Sequence, residues 1–160
     1  MDNKYKQMLD EGIDLIYKND FQSAIDKINL SIELKGDWEI SYFYRAVAYQ
    51  ALGKMDEAIL DYTKALKINP KMTDAYYNRA KIMLERKDCK VDINKIISDL
   101  DNALNLDENF VDALFAMAAA QKKAGDYHKA LEYLERLLKI QPDAIHARAL
   151  KKLLLQKYII

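Results

Sequence analysis

The sequence predicts an all-α protein built from repeated, antiparallel helix pairs. Three observations carry that prediction. The first is a scarcity: only 4 of 160 residues are Gly and 2 are Pro. Average usage would place about 19 in a chain of this length. Hairpin-rich β folds lean on these residues at their turns. The second is a repeat. Ala24 to Ala58 and Gly36 to Pro70 each span 34 residues. Ala58 to Ala130, Gly53 to Gly125 and Pro70 to Pro142 each span 72, which is 34 plus 38. The third is periodicity within each repeat. Tyr42, Ala46 and Tyr49, then Ala58, Ile59, Tyr62, Ala65 and Leu66, recur at the three- and four-residue spacing of one helix face.

The units follow in order. Residues 5–38 carry Met8, Glu11-Gly12, Leu15, Asn19, Ala24, Ile28, Ser31 and Gly36 at the repeating positions. Residues 39–72 carry Tyr42, Arg45-Ala46, Tyr49, Gly53, Ala58, Tyr62, Ala65 and Pro70. Residues 73–110 carry Tyr76, Arg79-Ala80, Met83, Ile96, Leu100 and Ala103, with Glu108 in place of proline and four extra residues between the helices. Residues 111–144 carry Leu114, Met117-Ala118, Gln121, Gly125, Ala130, Leu134, Leu137 and Pro142. Small residues at Gly12, Ala46, Ala80 and Ala118 let paired helices approach closely. Gly53 and Gly125 end first helices, since glycine adopts the left-handed cap at little cost. Pro70 and Pro142 are expected at helix starts, where a missing N–H is tolerated. Asp56-Glu57 and Asp107-Glu108 are expected in first turns, near the positive end of the helix dipole. Residues 145–160 form one more helix, with Ile145, Ala149, Leu150, Leu153, Leu154 and Tyr158 at helical spacing, expected to cap the array.

This pattern resembles the tetratricopeptide repeat (TPR) family in four consecutive units, over nearly the whole chain. The resemblance implies a single domain over 1–160, a right-handed superhelical solenoid, and first helices lining a concave face. By that resemblance the groove-facing positions are the second, fifth, sixth, ninth and twelfth of each unit. They bring Leu9, Ile13, Ile40, Phe43, Tyr44, Val47, Tyr77 and Phe115 into an apolar, aromatic strip, with Asn78 and Lys81 beside it. Such a strip suits a peptide or helix of a protein partner. Some TPR proteins clamp a C-terminal carboxylate with Lys, Asn, Asn, Lys and Arg on three successive first helices. Those positions here hold Leu9, Ile13, Tyr44, Asp74 and Asn78, or, one unit later, Phe43, Val47, Asn78, Asp112 and Ala116. Neither set supplies a cation to pair a carboxylate, so the clamp is not expected. Arg45 and Arg79 stand where the family usually has a large apolar residue. Their stems are expected to pack while their heads reach water.

Composition narrows the function further. Hydrophobic residues at 51% and charged residues at 31% suit a folded globular chain. Lys+Arg and Asp+Glu balance at 25 each, which argues against a nucleic-acid binder that neutralises phosphates. Lys122-Lys123 and Lys151-Lys152 are short basic spots that read as solvated faces. Cys89, between Lys87 and Lys90 in the extended loop, is the single cysteine and has no resolving partner. That loop reads as an inert extension. His128 and His146 are not metal-spaced, no glycine loop cradles a phosphate, and no serine sits in a nucleophile elbow. The start is polar and no apolar run nears membrane-spanning length. The expectation is a noncatalytic, cytoplasmic interaction module with no cofactor or metal and no membrane insertion. The alternative is a self-associating scaffold, a homodimer formed through the groove or the apolar end Tyr158-Ile159-Ile160.

Overall fold

The computed structural model describes residues 3–86 and 92–158. The loop centred on Cys89 and the final Ile159-Ile160 lie outside the described residues. Among those described there are nine α-helices and no strand. The chain groups into two compact units, Met1–Ala75 and Tyr76–Ile160, the division falling inside the fifth helix.

In the first unit α1 (Lys4–Tyr17) packs on α2 (Phe21–Leu34), and α3 (Glu39–Ala51) packs on α4 (Met55–Ile68). α2 joins the two pairs by packing on α3, and α1 also touches α3. Short connections force neighbouring helices to run antiparallel. The first connection turns at Asn19, with φ 60°, and the second at Gly53, with φ 74°. Asparagine tolerates the left-handed region better than most residues, so Asn19 does in the first pair what glycine does later. Core positions repeat as the sequence predicts. Ala24, Ile28, Ala46, Ala58, Tyr62 and Ala65 are all 0% exposed. Gly12 is buried as well, and a Cβ there would lie 2.6 Å from Ile28 Cγ1. That distance is the close helix approach expected of this position.

In the second unit α5 (Thr73–Glu85) contributes from Tyr76 onward, followed by α6 (Ile93–Leu106), α7 (Val111–Ala124), α8 (Tyr127–Ile140) and α9 (Ile145–Lys157). One core runs through it, from Ala80, Ile96 and Leu100 to Leu114, Met117, Leu134 and Leu154. Gly125 turns α7 into α8 with φ 86°. α9 packs on α8 through Ala147 and Leu154, and Tyr158 stacks on Tyr127 with ring centroids 4.2 Å apart.

Two local expectations are corrected. Pro70 and Pro142 do not start helices; each follows the C-cap of the helix before, three residues ahead of the next. There a proline stops the helix and holds the preceding residue extended, as at Asn69 (φ −131°) and Gln141 (φ −130°). Asp107 likewise is the C-cap of α6, not part of a first turn, and its carboxylate accepts from Asn109 N at 3.0 Å. Asp56 and Glu57 do lie in the first turn of α4.

Asp107 is already as extended (φ −142°) as the residues before the two prolines. Replacing Glu108, which follows it, with proline should therefore raise stability by about 0.4–1 kcal/mol by restricting the unfolded chain. Chemical denaturation of Glu108→Pro against the parent reads this directly. A lower midpoint would mean the turn needs the Glu108 N–H.

The junction between α2 and α3 holds a buried polar pair. Ser31 Oγ and Ser41 Oγ are 2.9 Å apart and both residues are 0% exposed. The same two positions are Ala65 and Ala75 one repeat later, then Ala103 and Ala113, all 0% exposed. Ser31→Ala alone should cost about 1–3 kcal/mol, because it strands the Ser41 hydroxyl. The Ser31→Ala, Ser41→Ala double variant should recover most of that loss. A double-mutant cycle by urea unfolding checks the pair, and additive losses would contradict it.

Candidate partner-binding faces

The side chains placed in a groove by sequence fall on first helices, as expected, and each unit presents its own set. In the first unit Ile13 lies on α1, and Ile40, Phe43, Tyr44 and Val47 form one stripe of α3; all five are half-buried. Phe43 meets Tyr44 and Tyr62 edge-on, at 5.4 and 5.6 Å between centroids. A ring braced this way, with Tyr62 fully buried beneath it, is held ready for contact at little entropic cost. Leu9 differs. It is 1% exposed and belongs to the core, so a partner cannot reach it. A leucine lacks the reach of the Phe43, Tyr77 and Phe115 rings at the same position in later units.

In the second unit Tyr77, Asn78 and Lys81 lie on α5 and Phe115 on α7, again half-buried. Tyr77 packs against Phe110, with centroids 5.0 Å apart, and Lys81 Nζ stands 5.9 Å from its ring. Burial, then the charges of Asp112 and Glu85, push the Tyr77 phenol above its ordinary range. Phe115 opens on a cleft of about 400 Å³ between α7, the end of α8 and the start of α9, lined also by Val111, Leu137 and Ala144. The mouth is apolar with acids at its edge, Asp112 and Asp143.

Arg45 and Arg79 correct the sequence reading: their heads do not go to water. Arg45 holds Asp61 with both ends of its fork, Nε to Oδ2 at 2.7 Å and Nη2 to Oδ1 at 2.8 Å, while Nη1 donates to Asn29 Oδ1 at 2.7 Å. Arg79 holds Asp99 in the same way, at 2.8 and 2.6 Å. Asp61 and Asp99 are 7% and 5% exposed. The Asp61 hydrogen bonds push the Arg45 guanidinium above its usual range, against the opposing effect of its burial. Planar bidentate geometry makes such pairs strong and directional.

The pairs could have been found by aligning the units. The arginine is the seventh residue of its first helix, and its acid lies 16 residues on, or 20 where the loop is longer. In the first unit the same positions are Glu11 and Lys27, also bonded, at 2.7 Å. There the sign is reversed, and the Lys27 hydrogen bond leads in holding the Glu11 carboxyl below its ordinary range. The fourth unit replaces both charges with Met117, 0% exposed, and half-buried Tyr133. The two arginines thus clamp the helices of their own pairs, and Arg45 also reaches Asn29 on the helix before.

No group of three or more potential metal ligands occurs among the described residues. No described helix is long and apolar enough to cross a membrane.

Known proteins match this architecture. The tetratricopeptide repeat family model matches residues 40–72, and the Fis1 C-terminal tetratricopeptide repeat model matches residues 111–159. The chain belongs to the tetratricopeptide repeat family. The TPR match falls in the second repeat, residues 39–72, which carries the repeat signature in full, and the Fis1-type match includes α9. A tetratricopeptide repeat and J domain-containing co-chaperone, DNJ1 of Cryptococcus neoformans, is 22% identical over 91% of this chain, and human sperm-associated antigen 1 is 35% identical over 58% of it. This TPR chain spans only 29% and 10% of their respective lengths. Among solved structures, MamA superposes with a TM-score of 0.87 at 21% identity, covering 98% of this chain and 83% of that one. The first TPR of Spaghetti (RPAP3), bound to the HSP90 peptide SRMEEVD, superposes with a TM-score of 0.68 at 24% identity, covering 74% and 90%. These likenesses confirm the TPR fold, a fold of protein-interaction modules.

Proposed function

We propose that this TPR chain is a noncatalytic interaction module, and that a peptide or helix of a partner protein lies against its first-helix faces. The observation that carries the reading is the set of half-buried aromatic and apolar side chains on those helices: Ile13, Ile40, Phe43, Tyr44 and Val47 in the first unit, Tyr77 and Phe115 in the second. Two or three anchors of this size contribute about 1.5–3 kcal/mol each on burial. After ordering costs, that supports affinity in the micromolar range. Asn78 and Lys81 supply the polar contacts that would set register. The single cysteine suits a reducing compartment, and we place the protein in the cytoplasm.

The partner differs from an acidic C-terminal tail. The clamp positions hold Leu9, Ile13, Tyr44, Asp74 and Asn78 in sequence, with no cation among them, and in the other register Asp112 would repel a carboxylate. The peptide SRMEEVD, which the Spaghetti domain binds, is expected to show no saturable fluorescence-anisotropy change with this chain. Partners captured from lysate are expected to be lost when Phe43 and Tyr77 are both changed to Glu, with helicity preserved by circular dichroism. An unchanged partner set would refute the groove reading.

Self-association is the second reading, favoured by the exposed apolar side chains of α9: Ile145 at 76%, Leu153 at 42% and Leu155 at 47%. Insertion of the tail into a second copy is less favoured, because Tyr158 is already stacked on Tyr127. Light scattering over a wide concentration range separates the two readings.

A further inference from the structure

We propose that the cleft between α7, the end of α8 and the start of α9 seats an aromatic or large aliphatic side chain flanked by lysine or arginine, carried by a segment of a partner protein. This rests on a partner lying against the first-helix faces, and it names the chemistry that the second unit takes there. The cleft is bounded by three described helices and has a volume of about 400 Å³. Its apolar wall is Val111, Phe115, Leu137 and Ala144.

The repeat indicates the size of the anchor. The residue just ahead of a first helix is Trp38 before α3, Met72 before α5, Phe110 before α7 and Ala144 before α9, at spacings of 34, 38 and 34. Three are large and apolar, and the fourth is a methyl. Within the second unit two of these places compare directly. Phe110 lays its ring against Tyr77, with centroids 5.0 Å apart. Phe115 holds the place of Tyr77 in α7, and Ala144 brings no ring to it. The backbone is not the cause: Phe110 has φ −66° and ψ 95°, and Ala144 has φ −62° and ψ 98°. Both amides donate to the carbonyl three residues back, of Asp107 and Gln141, at 3.3 and 3.2 Å. Leu137, in the place of Ala103, floors the cleft without filling it. An aromatic side chain from outside would take Phe115 as Phe110 takes Tyr77, the buried-anchor arrangement of interface hot spots.

The charge at the mouth selects the neighbours of that anchor. The titratable lining groups are Asp112, Asp143 and His146, and no described lysine or arginine lines the cleft. Neither carboxylate is hydrogen-bonded or ion-paired to a side chain among the described residues. The negative field extends to Tyr77, whose phenol is held up first by burial and then by the Asp112 charge. Two repeats earlier the same two positions are Ile40 and Lys71, so the fold itself requires neither acid. A lysine or arginine beside the anchor would meet Asp112 or Asp143, and an acidic residue there would be repelled.

The probe is the synthetic peptide SGKFKGS, titrated into the isotope-labelled full chain and followed by amide NMR shifts. Saturable shifts are expected at Phe115, Ala144 and Ala147, with a dissociation constant of about 1 mM or tighter. SGAFAGS should bind about threefold or more weakly, and SGKAKGS should give no saturable shift. Ala144→Phe restores the ring that Phe110 supplies ahead of α7, and should weaken SGKFKGS binding about tenfold or more with helicity retained. Should the Ala144→Phe chain lose helicity, Ala144→Met, which copies Met72, repeats the comparison. Asp112→Asn with Asp143→Asn should bring SGKFKGS down to the affinity of SGAFAGS. Absence of saturable shifts, equal binding of SGKFKGS and SGKAKGS, or equal binding by the parent and Ala144→Phe chains would each overturn the proposal. So would shifts of the same amides with protein concentration alone, the mark of a second copy in the cleft. The two readings fail separately, because lysate capture reports the first-helix faces as a whole. Phe43→Glu leaves this cleft intact and should bind SGKFKGS as the parent does; a loss there would place the peptide elsewhere and overturn the cleft.

Discussion

Asp61→Ala should destabilise the first unit by about 3–5 kcal/mol, the cost of leaving one partner of a largely buried ion pair uncompensated. Arg45 and Asp61 side chains are 19% and 9% exposed, so water cannot replace the lost carboxylate at the guanidinium. Against a typical total of about 5–15 kcal/mol, this is a large share. Asp99→Ala should act alike in the second unit, where Arg79 and Asp99 are 18% and 7% exposed. Disrupting Glu11–Lys27 should matter far less, because those side chains are 38% and 41% exposed and solvent screens them. Joint replacement, Arg45→Met with Asp61→Leu, should restore most of the stability, since removing both charges removes the uncompensated one. The fourth unit already works this way with Met117 and Tyr133. Urea unfolding midpoints measure all four variants. A double variant as unstable as Asp61→Ala would show that the pair itself, rather than the stranded charge, holds the helices together.

Ala46→Leu should cost about 1–3 kcal/mol by overpacking. Ala46 is 0% exposed between paired helices, and Gly12, one repeat earlier, has space for no Cβ without moving Ile28. Ala80→Leu and Ala118→Leu should show the same loss, both being 0% exposed. Lys152→Leu is the internal control. It stands at the same position of α9, on a face no described helix covers, and should leave the thermal midpoint unchanged. A loss there equal to that of Ala46→Leu would mean that helix propensity or surface charge, and not close packing, explains the series.

Much of the fold is legible in the residues because close-packed helix pairs leave a periodic imprint. Small residues recur where helices touch, and left-handed turns recur at Asn19, Gly53 and Gly125. Each of these follows from a short-range steric demand that one residue type meets. Pro70 and Pro142 were legible as boundaries but not as to which side of the boundary they serve. Their extended neighbours are shared by Lys35 (φ −150°) and Asp107, which precede no proline. The turn is thus set by the helix ends, and proline only stiffens it. The arginine clamps were harder to see. A charge in one helix has several possible partners in the next, and one unit alone does not choose. Three units compared do choose, through Glu11 with Lys27, Arg45 with Asp61 and Arg79 with Asp99.

The candidate faces were legible as positions and less so as surfaces. Periodicity places Leu9 and Phe43 at equivalent points, and it carries no measure of what covers each. Exposure depends on contacts from neighbouring helices, and these left Phe43 reachable and closed over Leu9. The amino-acid sequence by itself therefore determined the class of this protein: its repeat length, its helix pairs, its close-contact positions and its membership of a repeat family. Those properties rest on local sterics and on which residues tolerate burial. Only the tertiary structure decided which charges meet and which apolar side chains stay open. Those depend on neighbours distant in sequence, whose distances and directions a one-dimensional pattern does not contain.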